Sequence, residues 1–182
     1  QQRFASVRAR LRELGLWDAD SLVMTAPGAV CGAAGEPVEA ALFSAVSAPM
    51  AVLTAGRYAR EFAKAPHALC DDAAQMFGVR VPVRSAPRRG DTACIVPNRG
   101  FVVTARFENE LIAACILLEK LCMTARLSPR IGTPKPLAAP LCLIEHAVYT
   151  KKYSRPSLAA AQGEEAAPVA QDVSDLALRE SV

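Results

Sequence analysis

The sequence predicts a single α/β domain, and three observations support this. The chain has 182 residues, of which 52% are apolar, and a chain of that size can bury an autonomous core. Short β-rich runs are bounded by Gly, Pro or Asn. Stretches with helical periodicity fill the gaps between these runs. Strands that alternate with helices indicate a layered sandwich of sheet and helices.

The elements follow in order along the chain. Phe4, Val7, Leu11 and Leu14 recur at helical spacing, which predicts an amphipathic, arginine-faced helix over 2–14 that ends at Gly15. The predicted strands are 21–25, 50–54, 79–83, 93–96 and 101–104. The predicted helices are 37–46, 57–64, 69–77 and 108–126, and a further helix would carry Cys142 and His146.

Charge and composition divide the chain into three parts. The net charge is +3, but five acids against two arginines give residues 155–182 a charge of −3, which leaves +6 for residues 1–154. We expect an N-terminal helix and linker over 1–19, a folded domain over 20–154, and an acidic, flexible tail over 155–182. Within the tail, Val173, Leu176 and Leu178 could instead order on a partner.

Cysteine usage indicates a reducing environment. The six cysteines form no C-x-x-C pair, in a chain too large and apolar to need disulfides, so we expect reduced, mostly buried thiols and no secretion. Four arginines precede the first acid, Glu13, as in a trimmed mitochondrial transit peptide, which favours the mitochondrial matrix over the cytoplasm. No apolar run reaches the about 18 residues of a transmembrane helix.

The sequence lacks the motifs of several common chemistries. The chain contains no P-loop, dinucleotide-binding or nucleophile-elbow motif. Its two histidines, His67 and His146, cannot form a three-histidine metal site. Two mixed sets, Cys142 with His146 and His67 with Cys70 and Asp71, lack the paired spacing of a zinc site. We therefore expect no metal and no cofactor.

A basic loop over 84–89, with the sequence RSAPRR, is a candidate contact for anions. Arg84, Arg88 and Arg89 could bind phosphate or nucleic acid. Because no aromatic residue is interleaved with them, a solvated loop is favoured over a nucleic-acid site.

The segment 94–126 predicts a strand, a tight Asn-Arg-Gly turn, a second strand and a long helix. Here the sequence resembles the class II aldolase/adducin family. Members of that family carry an Asn-His-Gly turn between two strands and a Leu-Glu pair in the following helix. Asn98, Gly100, Leu118 and Glu119 keep that frame.

Two upstream stretches extend the resemblance to residues 20–150. Residues 21–28 (SLVMTAPG) are similar to one strand and turn of the family, and residues 51–55 (AVLTA) are similar to its His-x-His strand. The resemblance implies a three-layer αβα sandwich around a mainly antiparallel sheet. It also implies a domain that commonly assembles as a tetramer.

The departures from the family concern its metal. In the family's enzymes three histidines bind a divalent cation, usually zinc, which stabilises an enediolate. The corresponding positions here are Leu53, Ala55 and Arg99. Leucine and alanine offer no lone pair, and a guanidinium stays protonated at physiological pH. The resemblance thus implies a vestigial site with a positive charge where the cation would sit.

Glu36 corresponds to the family's acid/base glutamate, with Ala40 where a histidine would follow. Glu36 also precedes the predicted helix 37–46, and a carboxylate there favours a helix-capping role over catalysis. The family's phosphate-binding loop has no counterpart in residues 15–21.

Three functions follow, of which the first is favoured. The chain is a non-catalytic class II aldolase-like domain, a structural or interaction subunit that contacts other subunits through its N-terminal helix and tail, with a homo-oligomer as an open alternative. Secondly, it is a metal-independent enzyme or anion-binding protein that uses Arg99 and Glu36. Thirdly, it is an unrelated α/β module that binds RNA through Arg84, Arg88 and Arg89.

Overall fold

The computed structural model describes residues 2–153, and the predicted acidic tail lies outside the described residues. A five-stranded sheet occupies the centre, with its strands in the order β2-β1-β3-β5-β4 and every neighbouring pair antiparallel. The strands are β1 (Leu22–Ala26), β2 (Ala29–Cys31), β3 (Met50–Thr54), β4 (Ala93–Val96) and β5 (Gly100–Ala105). The α-helices of the described part are α1 (Gln2–Glu13), α2 (Asp71–Phe77), α3 (Glu108–Leu127) and α4 (Ala139–Val148).

The first face of the sheet is covered by helices. Side chains alternate between the two faces of a strand, so Val52 of β3 and Phe101 and Val103 of β5 share one face. They join Leu111 and Leu118 of α3 in the larger apolar cluster of the domain, which also includes residues of α1 and α2. Most of the buried apolar surface therefore lies between this face and the helices.

The N-terminal helix packs on the same layer. Phe4, Val7 and Leu11 of α1 are buried, as the helical spacing predicts, whereas Leu14 lies beyond the helix and is 43% exposed. Its polar side contacts the start of α3, where Ser6 Oγ donates a hydrogen bond to Glu108 Oε1 at 2.6 Å. The apolar stripe of α1 is thus occupied by the domain itself.

The second face carries a smaller cluster. Met24, Leu53 and Val102 point to this side and are buried there with Phe43. The cover is the irregular segment 36–46, in which a single 3₁₀ turn (Ala41–Phe43) is the only helical element. The predicted fold class, an α/β domain with an antiparallel sheet, is confirmed, but this layer contains no α-helix.

The predicted helix over 37–46 is wrong, because the backbone at the start of this segment pairs with β2. The Val38 N–H donates to the Val30 carbonyl at 3.1 Å, and Pro37 forms an isolated bridge with Cys31. The segment therefore begins as an extension of sheet pairing along β2. Its apolar residues cover the second face without a helix.

Two further predictions are corrected. The helix over 57–64 is reduced to a 3₁₀ turn (Ala59–Glu61), which Phe62 ends by returning to an extended conformation. The strand over 79–83 is reduced to two isolated bridges, His67 with Arg80 and Val83 with Ile95. Pro82 has no N–H with which to continue a ladder.

The six cysteines are all free, and four of them (Cys94, Cys115, Cys122 and Cys142) are buried. Burial raises the pKa of the Cys115 thiol. Burial, and secondarily the Glu119 carboxylate, raises the pKa of Cys122 to about 12. These thiols are held protonated in the first-face layer. Within residues 2–153, no helix is both long and apolar enough to span a bilayer.

Candidate functional site

The three positions that the resemblance matches to metal-binding histidines lie around the end of β3. Leu53 is on the second face and only 1% exposed, packed within the smaller apolar cluster. Ala55 directly follows β3 and is half-buried. Arg99 is exposed in the turn between β4 and β5. An apolar side chain, a methyl group and a guanidinium do not fit a divalent cation as ligands.

The turn that carries Arg99 closes directly on β3. The Arg99 N–H donates to the Val96 carbonyl at 3.1 Å, and Asn98 takes a positive φ of 63°. Gly100 has a φ of 125°, and a Cβ there would collide with the carbonyl oxygens of Thr54 and Ala55. Only glycine allows this approach. The turn therefore brings the backbone of residues 98–100 against that of residues 54–55, as the sequence frame requires.

Glu119, which belongs to the Leu-Glu pair of the family pattern, accepts hydrogen bonds from the backbone just after β3. Its Oε1 accepts the Tyr58 N–H at 2.7 Å, and its Oε2 accepts the Ala59 N–H at 3.3 Å. Both carboxylate oxygens are thus committed to the backbone. Their partners are N–H groups at the start of the 3₁₀ turn that have no donor role within it. Glu119 fixes the path of the segment that leaves the site.

Gly56 is a structural position beside the candidate site that the sequence patterns did not indicate. It has a φ of 52°, and a Cβ there would lie 2.6 Å from Phe101 Cε1 and 2.7 Å from Glu119 Oε2. Any larger residue would displace the glutamate. The available signal was a glycine immediately after a buried strand, which marks a close approach.

Glu36 caps a turn instead of a helix. Its Oε2 accepts the Ala34 N–H at 3.1 Å, and its own carbonyl accepts the Gly32 N–H at 2.8 Å. The expected helix-capping role is wrong because no helix begins at Pro37. The side chain is exposed and folded back over residues 32–35, and its correspondence to an acid/base residue stays a prediction.

The basic loop is organised by one acidic residue. Asp91 Oδ2 pairs with Arg84 and also accepts the Arg88 N–H at 2.7 Å. The Arg84 guanidinium is therefore partly neutralised, while Arg88 and Arg89 are exposed. Binding of phosphate or nucleic acid by the three arginines stays a prediction.

The two mixed Cys/His sets do not assemble. Cys142 is fully buried, whereas His146 Nδ1 lies 2.7 Å from the carbonyl oxygen of Gln75. His67 and Cys70 are exposed side chains on the surface. Across the described residues, no group of three or more His, Cys, Asp or Glu side chains is placed to hold a metal ion.

Comparison with known proteins finds similar structures but no similar sequences. No family model matches the sequence, and no curated protein matches it. Among solved structures, an L-fuculose 1-phosphate aldolase has a TM-score of 0.65 at 13% identity, over 82% of this chain and 95% of that chain.

Two further structures agree. The L-fuculose 1-phosphate aldolase from Glaciozyma antarctica PI12 has a TM-score of 0.58 at 13% identity, covering 79% of this chain and 78% of that chain. YgbL from Klebsiella pneumoniae has a TM-score of 0.54 at 17% identity, covering 76% of this chain and 93% of that chain. At these identities the likeness shows the fold, and at that level the resemblance drawn from the sequence is confirmed: the chain has a class II aldolase-like fold.

Proposed function

We propose that this chain is a non-catalytic class II aldolase-like domain that serves as a structural or interaction subunit of a protein assembly. One observation carries the proposal: Leu53, Ala55 and Arg99 offer no donor atom to a cation at the end of β3. A guanidinium also adds a fixed positive charge, which would repel an ion from that position.

The chemistry explains why these residues matter. Cleavage of a carbon–carbon bond beside a carbonyl leaves an electron pair that must be stabilised, and in a metal-dependent site the cation acts as the Lewis acid. Leu53 is packed among aliphatic and aromatic side chains of the second face, so this position stabilises the fold instead of holding a ligand. One substitution could be compensated by neighbours, whereas three remove the whole donor set.

An apolar surface on α4 supports the interaction role. Leu141, Leu143, Ile144 and Val148 are between 41% and 61% exposed, although Cys142 on the same helix is buried. Ile131, in the segment before this helix, is 92% exposed. Clustered apolar residues on a surface are typical of protein–protein contacts. The proposal includes a reducing location, the mitochondrial matrix or the cytoplasm, which the six free cysteines support.

The loss of metal chemistry is tested on the purified chain. After incubation with Zn²⁺ and dialysis, we expect less than stoichiometric metal and no cleavage of ketose 1-phosphates, with an active L-fuculose 1-phosphate aldolase as positive control. Stoichiometric zinc with turnover would refute the proposal. Turnover without metal that Glu36→Gln abolishes would also refute it, and would support a metal-independent enzyme instead.

The interaction role is tested by the mass of the native particle. We expect light scattering of the gently purified protein to give a mass above that of one chain, at a fixed stoichiometry of components. Ile144→Glu should reduce that mass to a single chain, because it places a charge in the apolar surface of α4. Ala113→Glu, an exposed position on α3, is the matched control and should change nothing. A monomeric wild-type chain would contradict this role.

A further inference from the structure

A cleft of about 250 Å³ lies away from the vestigial site, beside the edge strand β4. Its walls are the end of α2, the segment 80–84, the start of β4 and a side chain from α4. The lining includes three basic side chains, Arg80, Arg84 and His146, and one acidic side chain, Asp91. We propose that this cleft binds a phosphate group.

Charge supports an anionic ligand. Asp91 is already satisfied by Arg84 and by the Arg88 N–H, so its charge is offset within the wall. Arg80 lines the cleft and has neither an ion-pair nor a hydrogen-bond partner among residues 2–153. The cleft thus presents one uncompensated guanidinium and the remaining N–H groups of another. Guanidinium groups bind phosphate oxygens in a bidentate geometry.

The imidazole contributes a third contact group. His146 Nδ1 lies 2.7 Å from the Gln75 carbonyl, and because a carbonyl only accepts, this nitrogen donates. The other ring nitrogen, Nε2, has no partner in the described part of the chain, and with Nδ1 as the donor of the neutral ring it can accept a hydrogen bond from the hydroxyl of hydrogen phosphate. Two guanidiniums that donate and an imidazole nitrogen that accepts suit hydrogen phosphate, which has both charged oxygens and a hydroxyl, better than a carboxylate, which has no hydroxyl to donate.

The negative end of α2 does not cancel this charge. The carbonyls of the last turn of a helix carry partial negative charge and would oppose an anion. Here the Gln75 carbonyl is bonded to His146, and the Met76 carbonyl accepts the Thr92 hydroxyl at 3.2 Å. The last-turn groups nearest the cleft are therefore occupied.

The arginine-bearing segment is held in place on both sides. The Val81 N–H donates to the Pro66 carbonyl at 3.0 Å, and the Ile95 N–H donates to the Pro82 carbonyl at 2.8 Å. The Arg84 N–H returns to the Ile95 carbonyl at 2.9 Å. A backbone fixed in this way loses little conformational entropy when a ligand binds. The cleft is thus a preorganised site.

The test uses the full chain and inorganic phosphate, titrated at constant ionic strength and followed by NMR chemical shifts. We expect Arg80→Gln to weaken phosphate binding about tenfold or more, because a charge-assisted hydrogen-bonding group is lost. Arg99→Gln is the matched control, since Arg99 is also exposed and unpaired within residues 2–153 but lies at the opposite end of β4. We expect it to change the affinity less than twofold.

Three outcomes would overturn the proposal. The first is no saturable shift with phosphate, and the second is equal weakening in both variants, which would indicate charge screening only. The third is weakening in Arg99→Gln alone, which would move the anion to the vestigial site.

Melting of both variants without phosphate checks that they fold. Glycerol 3-phosphate in a parallel titration distinguishes the source: tighter binding than phosphate indicates an ester ligand, and absent binding indicates free phosphate.

Discussion

The two faces of the sheet differ in how they are covered and in what they do. Among the described residues, the first face packs with α1, α2 and α3 in a cluster of twenty-six buried side chains. The second face and the irregular segment 36–46 together form a cluster of seven buried side chains. The apolar layer that holds the fold together therefore lies on the first face. Of the positions matched to metal ligands, Leu53 lies on the second face.

Under the proposed function, this difference explains how metal ligands could be replaced while the fold is kept. A change at Leu53 alters the thinner layer, which an irregular segment can adjust to cover. The frame residues Gly100 and Glu119 cannot change in the same way, because they hold backbone to backbone. Gly100 and Glu119 position the chain here, whereas two of the three positions matched to metal ligands carry the apolar side chains of Leu53 and Ala55.

The largest expected effect comes from the turn between β4 and β5, which lies against the backbone of residues 54–55. Gly100→Ala would place a Cβ against two carbonyl oxygens at a φ of 125°, so we expect a loss of more than about 4 kcal/mol in unfolding free energy, or failure to fold. The measurement is urea unfolding followed by circular dichroism. Gly28→Ala is the control: its φ is 78° but no atom lies within 4 Å, so strain alone should cost about 1 kcal/mol. Equal losses would contradict the close approach.

Truncations on the two faces compare the two layers directly. We expect Leu118→Ala in α3 to lower the unfolding free energy by about 3–5 kcal/mol, because dense helix packing cannot collapse into the cavity. Leu53→Ala should lower it by about 2–3 kcal/mol, since the irregular segment can partly fill the space. Urea unfolding measures both. A larger loss at Leu53 would reverse the assignment of stability to the first face.

A smaller effect is expected where the first face holds the chain after β3. Glu119→Gln turns one carboxylate oxygen into an N–H₂ group that faces a backbone N–H, so we expect a loss of about 1–3 kcal/mol. Glu61→Gln is the control, because its ion pair with Arg126 is more than half exposed and should contribute less than about 1 kcal/mol. Similar losses in the two variants would remove the anchoring role of Glu119.

The smallest effect is a pH dependence from buried thiols of the first face. In the unfolded chain a thiol ionises near about pH 8.5, whereas burial raises the pKa of Cys115 and raises that of Cys122 to about 12. Above about pH 8.5 the unfolded state binds fewer protons, so stability is complete below that pH and falls as pH rises. Each thiol contributes a slope of about 1.4 kcal/mol per pH unit.

Cys115→Ala separates this slope from other titrations. The variant should be less stable at about pH 8, because a buried side chain is shortened, but should lose about 1.4 kcal/mol less between pH 9 and pH 10 than the wild type. Urea unfolding at each pH gives both values. An unchanged slope would mean that the thiol at position 115 ionises equally in the folded and unfolded states.

Local patterns predicted the elements that local interactions determine. The turn at 98–100 and the helix that became α3 follow from a glycine at positive φ and a repeated apolar stripe, and both appear where the sequence indicates. The segment 37–46 carries apolar residues at nearly helical spacing, yet it bonds to β2. Pairing with a strand edge six to eight residues upstream outweighed helix propensity there, and the helical spacing of the apolar residues does not contain that information.

The phosphate cleft was missed for a related reason. Arg84 was noted within a basic loop, but Arg80 and His146 come from separate stretches that only the fold brings together. The spacing of residues in a sequence predicts which side chains are neighbours within one helix or strand. It does not predict which side chains from different elements lie next to each other in the fold. The assignment of Leu53, Ala55 and Arg99 to former metal positions rests on the spacing of a family motif and stays a prediction.

The order of the strands also bears on how the chain folds. β1 with β2, and β4 with β5, are two antiparallel pairs of neighbours in sequence, and β3 lies between them in the sheet. Each hairpin can form early from nearby residues, whereas the pairing of β3 with β5 must close a loop of more than forty residues. We therefore expect the pairing of β3 with β5, which closes the longest of these loops, to be the step that completes the sheet.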